Sequence, residues 1–235
     1  VISNLQTNEK IGFGRPSLNP VLAIVDPELM KTVPAKYTAY QGFDALFHNT
    51  EVMISRFLNV LSEPIALSAI ENIAKYLPRV VKDGNDIEAR TGVAYGSTIA
   101  GLTMQLTSTT AEHSMEHAMS AFHPTLPHGA GLIMISNEFY RFFIEKHACD
   151  ERFIKMAKAM GIKDADKSED FLTALYELQK ACGVDNLRMS DYGFTQDEFM
   201  QLAVNARETN PGLYAANPCE LTDEDAAEIY RKSFR

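Results

Sequence analysis

From Pro34 to the carboxy terminus, apolar residues return every three or four positions with few β-branched runs, and this periodicity limits the fold more than any other feature. Such spacing gathers apolar side chains on one face of a helix, and each face must be buried against another helix. It predicts helices over 35–61, 64–83, 86–107, 110–121, 129–147, 150–160, 168–182, 195–207 and 222–234. Thr195 with Glu198, and Thr222 with Asp225, have the spacing of hydroxyl-and-carboxyl caps at helix starts. Gly161 and Gly183 stand where helices should end on a left-handed residue. No internal repeat or linker divides the stretch. The expected fold class is all-α, a multi-helix domain over 30–235.

Residues 1–29 read differently. Asn8-Glu9-Lys10-Ile11-Gly12-Phe13-Gly14 has turn chemistry, and Pro20-Val21-Leu22-Ala23-Ile24-Val25 is a short candidate strand ended by Asp26-Pro27. With 46% hydrophobic residues the chain can bury a core, which argues against global disorder. The 31 acids against 22 bases, with no long basic run, argue against nucleic acid as a partner. The apolar stretch Gly129–Ile135 is far short of the roughly 20 residues of a membrane span. Cys149, Cys182 and Cys219 lie far apart without a CxxC spacing. They point to reduced thiols and a cytoplasmic location, not to a disulfide framework or a thiolate zinc site.

The histidines are the most uneven part of the composition: of six, four fall between positions 113 and 128. Asp44 and His48 are four apart on a strongly helical stretch, so they share one face, a turn apart. His113 and His117 repeat that spacing. One such pair by itself is more often surface decoration. Two helices presenting such pairs to each other can surround a divalent cation, because imidazole suits zinc, iron and nickel and a carboxylate adds charge. Spacing leaves the ligand set open, with His113 and His117 the obvious pair on one face. His128, in Pro127-His128-Gly129 at the start of an apolar helix, can be aimed by the loop before it. His147, in Glu145-Lys146-His147, reads as a solvated helix end.

These residues resemble the iron-containing alcohol dehydrogenase family, whose relatives include dehydroquinate synthase and glycerol dehydrogenase. Asp26-Pro27-Glu28-Leu29 with Val33-Pro34 looks like that family's interdomain segment. Gly42-Phe43-Asp44-Ala45-Leu46-Phe47-His48 through Glu51 matches GxDAxxHxxE. His113, His117 and Pro127-His128-Gly129 match HxxxH followed by HG, and Asn217-Pro218 with Leu221-Thr222 looks like the closing NP and LT. The resemblance implies a carboxy-terminal helical domain over 30–235. It makes residues 1–29 the remnant of an α/β cofactor-binding domain and its interdomain segment, the phosphate loop belonging to a further amino-terminal half.

The resemblance also assigns roles. Asp44, His48, His113 and His128 become metal ligands for Fe2+ or Zn2+, and His117 lies near the nicotinamide of NAD or NADP. Lys10 matches a basic position that can contact the cofactor. The implied partners are a small alcohol or aldehyde substrate and a second copy of the chain in a dimer. Two departures stand out. Ser108-Thr109-Thr110-Ala111-Glu112 replaces the usual glycines before the first motif histidine, and a later glycine is replaced around Met119-Ser120. The interval to His128 is about one residue longer than usual, which makes His123 an alternative ligand, although the HG context favours His128. Two other readings compete: a metal-dependent helical hydrolase, and a non-catalytic helical fragment that binds metal weakly.

Overall fold

Helix α1, Ala35–Ile54, is buried on most of its circumference, and a helix of that kind has to be surrounded. In the computed structural model, which describes residues 1–235 apart from the Pro16 side chain, three helices enclose it. These are α2 (Ser62–Lys82), α3 (Ile87–Leu106) and α5 (His128–Glu145). Helix α4 (Ala111–Phe122) packs against α5 and against α8 (Phe199–Thr209), and α10 (Asp223–Ser233) closes over α5 and α8. Helices α6 (Asp150–Ala159) and α7 (Glu169–Ala181) pair with each other, and the five-residue α9 (Pro211–Ala215) lies against α4.

An aromatic core ties α1 to α5, α6 and α7. Phe47, Tyr140, Phe153 and Phe171 are each fully buried, and the Tyr140 and Phe171 rings meet edge to face with centroids 5.1 Å apart. Burying each such side chain stabilises the fold by about 1.5–3 kcal/mol. The all-α expectation therefore holds, with a two-stranded antiparallel hairpin as the one sheet among the described residues.

The hairpin lies within the first 29 residues, where one expected element is missing. Strands β1 (Ile2–Asn4) and β2 (Glu9–Ile11) pair in the register Ser3 opposite Lys10, and Asn8 turns the chain at φ 52°. The expected strand over 20–25 does not form. Val21, Leu22 and Ile24 are exposed with no neighbouring strand to take their backbone groups, and a lone strand has nothing to stabilise it. Helix 35–61 also stops early, at Ile54. Arg152 Nη1 donates to the carbonyls of Met53, Ile54 and Ser55, ending α1, and Asn59 Oδ1 accepts from Leu61 N and Ser62 N, starting α2. Both capping boxes are present, and Gly161 and Gly183 have positive φ at helix ends. No helix is long and apolar enough to cross a membrane among the described residues.

Gly129 lets α1 and α5 approach backbone to backbone: a β-carbon there would lie 2.2 Å from the Tyr40 carbonyl oxygen. Gly129→Ala must push the helices apart. The expected cost is about 1–3 kcal/mol, or a Tm lowered by roughly 2–12 °C at this size, read by calorimetry. An unchanged Tm would mean that the contact is not rigid.

Candidate metal centre

A polar stripe runs along one side of α1, formed by Asp44, His48 and Glu51 at successive turns. Facing it, the short α4 buries four ionisable side chains, Glu112, His113, Glu116 and His117. Such groups are seldom fully buried unless paired, and their concentration marks a site.

Nearly all of the pairing is visible. Glu51 reaches across to the start of α4, which lacks a side-chain cap of its own. Its Oε1 accepts from Thr110 N at 2.9 Å, Thr110 Oγ1 at 2.8 Å and His113 N at 3.3 Å, and its Oε2 meets His113 Nδ1. Asn217 Oδ1 accepts from Ala111 N at 3.1 Å, so the closing Asn-Pro segment caps the same helix. Two parts of the chain far away in sequence thus satisfy the orphan N–H groups of α4, and a carboxylate lies at its positive end. Glu112 accepts from Tyr140 OH at 2.6 Å, and burial together with nearby Glu51 pushes its carboxyl up.

The imidazoles converge. His48 Nε2 and His113 Nε2 each lie 3.3 Å from Asp44 Oδ1, and His128 Nε2 lies 3.6 Å from the same oxygen. The His48 and His113 rings stack with centroids 4.0 Å apart. On the far side of its ring, His128 Nδ1 meets Glu116 Oε2, as His113 Nδ1 meets Glu51. Glu51 is an acceptor for three other donors, so a proton on the His113 ring belongs on Nδ1, and a neutral ring then turns the Nε2 lone pair toward Asp44. Lone pairs and a carboxylate oxygen facing one another repel unless a cation or extra protons lie between them.

The electrostatics follow the same geometry. For Asp44, burial acts to raise the pKa, but the three rings outweigh it and hold the carboxyl below its ordinary range. His113 and His128 are pulled down by burial and up, more strongly, by the carboxylates at either side of each ring. His48 is lowered to about 3, first by burial and then by His113, so its ring is neutral.

His117 lies beside His128, on the side away from Asp44. It makes no contact with Asp44, its ring centroid is 5.5 Å from that of His128, and its buried Nδ1 has no hydrogen-bond partner. Burial, then Lys10, lowers its pKa to about 2. The pair that spacing favoured, His113 with His117, is therefore split by the structure. His123 is also outside the cluster: its Nε2 lies 2.9 Å from Glu198 and its ring packs on Phe194. His147 pairs with Asp150 at an exposed helix end. Lys10 comes in from β2, with Nζ 3.1 Å from Glu116 Oε2 and 2.8 Å from Ser120 Oγ.

Sequence reasoning gave no role to Glu51, Glu112 or Glu116. Glu51 lay inside a quoted motif and could have been found one turn below His48. Glu112 and Glu116 carry no sequence signal, because an acid on a short helix is ordinarily solvated.

A hairpin-flanked helical domain, with one aspartate and three histidines clustered where its first, fourth and fifth helices meet, defines a class of protein. The chain belongs to the Fe-containing alcohol dehydrogenase family, whose carboxy-terminal sequence model matches residues 38–234. It is 29% identical to the choline dehydrogenase of Bacillus subtilis, over all of this chain and 58% of that one. It is 28% identical to the 1,3-propanediol dehydrogenase of Klebsiella pneumoniae, over all of this chain and 60% of that one. The crystal structure of an archaeal halo-thermophilic Red Sea brine pool alcohol dehydrogenase superposes with a TM-score of 0.93 at 32% identity, again over all of this chain and 60% of that one. The chain thus spans about 60% of the length of the relatives it matches.

Proposed function

We propose that this chain is the metal-holding part of an NAD(P)-dependent alcohol dehydrogenase that interconverts an alcohol and its aldehyde or ketone. The observation that carries the reading is the convergence of three imidazole Nε2 atoms on one carboxylate oxygen, with the Nδ1 atoms of His113 and His128 fixed from behind by buried carboxylates. The donor set of one carboxylate and three nitrogens fits Fe2+ or Zn2+, and the carboxylate–imidazole pairs behind it are the usual outer support of such sites. When bound there, such a cation supplies Lewis acidity toward an alcohol or carbonyl oxygen, and a nicotinamide supplies the hydride acceptor or donor.

The chain's own residues do the rest. Asp44 brings the one negative charge to the cluster, which leaves a divalent cation net positive and able to favour an oxyanion. Glu51 and Glu116 hold the tautomer and plane of His113 and His128. His117, neutral and with an unpaired Nδ1, has hydrogen-bonding capacity left for substrate or nicotinamide at the edge of the cluster.

The test measures NAD(P)H-linked oxidation of short primary alcohols by this chain together with whatever cofactor-binding half its gene encodes. Turnover is expected to vanish after dialysis against a chelator and to return with Fe2+ or Zn2+. Full activity in the stripped enzyme would overturn the metal assignment. Absence of any nicotinamide-linked turnover in the metal-loaded enzyme, across a panel of alcohols, would overturn the dehydrogenase reading itself.

A further inference from the structure

We propose that Lys10 and Glu116 form a positioning pair for His128, through which the amino-terminal hairpin sets the cation affinity of the cluster. The inference rests on the metal-holding reading above.

Glu116 is completely buried. Its Oε2 meets both His128 Nδ1 and Lys10 Nζ, while its Oε1 has no partner. A buried carboxylate is costly unless charge and hydrogen bonds compensate it, and the Lys10 ammonium is the one lysine or arginine cation touching it among the described residues. Remove that ammonium and Glu116 becomes a lone buried anion. Without its cation the carboxylate is no longer held in place and turns away, which releases the His128 ring from behind.

Lys10 is not a long side chain that happens to reach inward; its backbone is clamped. Asn205 Nδ2 donates to Asn8 O at 3.0 Å, Asn210 Nδ2 donates to Lys10 O at 3.1 Å, and Gly12 N donates to Asn210 Oδ1 at 3.1 Å. Two asparagines at the end of α8 thus bind alternate residues along the open edge of β2, where a third strand would otherwise add. The clamp fixes the Lys10 Cα before its side chain enters. At the far end, Ser120 Oγ donates to Glu116 O at 3.2 Å and turns a lone pair to Lys10 Nζ at 2.8 Å. Across the carboxylate, a β-carbon on Gly131 would come within 2.8 Å of Glu116 Cγ, so α5 leaves room for the glutamate.

The geometry also decides between two uses of this corner. Glu116, His117 and His128 lie close enough together to hold a cation by themselves. The ammonium of Lys10, 3.1 Å from Glu116 and 3.2 Å from His128 Nδ1, already lies against two of these three groups and would repel a second cation. The acidic corner supports the Asp44 cluster and is not a second metal site.

The test uses Co2+, followed by its d–d absorption and by competition with a chelator, on the 235-residue chain and its Lys10→Met, Glu116→Gln and doubly substituted forms. Each single change is expected to weaken Co2+ binding by about 10- to 100-fold, the usual effect of losing an outer partner of a ligand. Each should also alter the ligand-field spectrum, which a merely structural role would leave alone. The double variant should bind no more weakly than the weaker single one, and Lys10→Arg should restore part of the affinity. Wild-type affinity and spectrum in Lys10→Met would overturn the proposal, as would fully additive losses in the double variant. Lys10→Met removes no buried packing at the cluster, so it remains informative if Glu116→Gln fails to fold. A wild-type chain that takes up no Co2+ overturns the metal-holding reading and this inference with it, whereas Co2+ binding indifferent to Lys10 overturns this inference alone.

Discussion

Asp44→Asn is expected to abolish the heat stabilisation that Zn2+ or Fe2+ gives this chain, and with it nicotinamide-linked turnover. Asp44 Oδ1 is the atom on which His48, His113 and His128 converge, and its charge is the one anionic contribution to the cluster. Asparagine keeps the shape and removes the charge. Loss of an outer partner typically costs about 10- to 100-fold in affinity, so loss of a direct ligand is expected to cost at least about 100-fold. A metal present at about 100 times its Kd stabilises the native state by about 2.7 kcal/mol, which at this chain length raises Tm by roughly 5–10 °C. That shift should appear in the wild type and be missing in Asp44→Asn, measured by calorimetry with and without Zn2+. Each shift is read against the same protein's own metal-free melt, because losing the charge that the three rings favour also lowers the metal-free Tm. An undiminished metal-induced shift would show that Asp44 is not a ligand.

The second large effect lies behind the cluster. Glu51 is fully buried, and its carboxylate accepts from Thr110 N, Thr110 Oγ1, His113 N and His113 Nδ1. Glu51→Ala strips the start of α4 of its cap and leaves a buried imidazole without its partner. Breaking a buried charged pair from one side costs about 3–5 kcal/mol, a fall in Tm of roughly 6–20 °C for a chain of this size. Glu51→Gln separates the two duties. Its amide oxygen can still accept from α4, so the melt should fall less. Its amide nitrogen, however, must face His113 Nδ1, which moves the ring proton to Nε2, the atom turned toward Asp44. Metal affinity is then expected to drop by about 10- to 100-fold while the fold survives. If Glu51→Gln keeps wild-type affinity, the carboxylate does not set the tautomer.

The alternatives weighed from sequence separate at this site. A hydrolase using two metals would need a second acidic cluster free to take an ion. The nearest one, around Glu116, already has the Lys10 ammonium against it. The fragment reading predicts a folded helical chain without the metal-induced shift in Tm, so the calorimetry of Asp44→Asn beside the wild type decides it.

What the sequence determined is the set of elements and the residues able to do chemistry. The three- and four-residue apolar spacing marked out the helices because burial follows period, and the Thr222–Asp225 box and Gly161 marked boundaries because caps are local. Asp44 with His48, and His113 with His117, were visible as pairs for the same reason: four residues is about one turn. Only the tertiary structure could decide which of these face a common point. His113 and His117 share a helix face, yet α1 lies beside the first and Lys10 beside the second, so one ring turns to Asp44 and the other does not. The end of α1 likewise depended on Arg152, almost a hundred residues away, and the cap of α4 on Glu51 and Asn217. Short-range patterns record what the backbone does within a turn or two. Buried charges such as Glu116 are stabilised by partners from distant segments, and no local pattern reveals them.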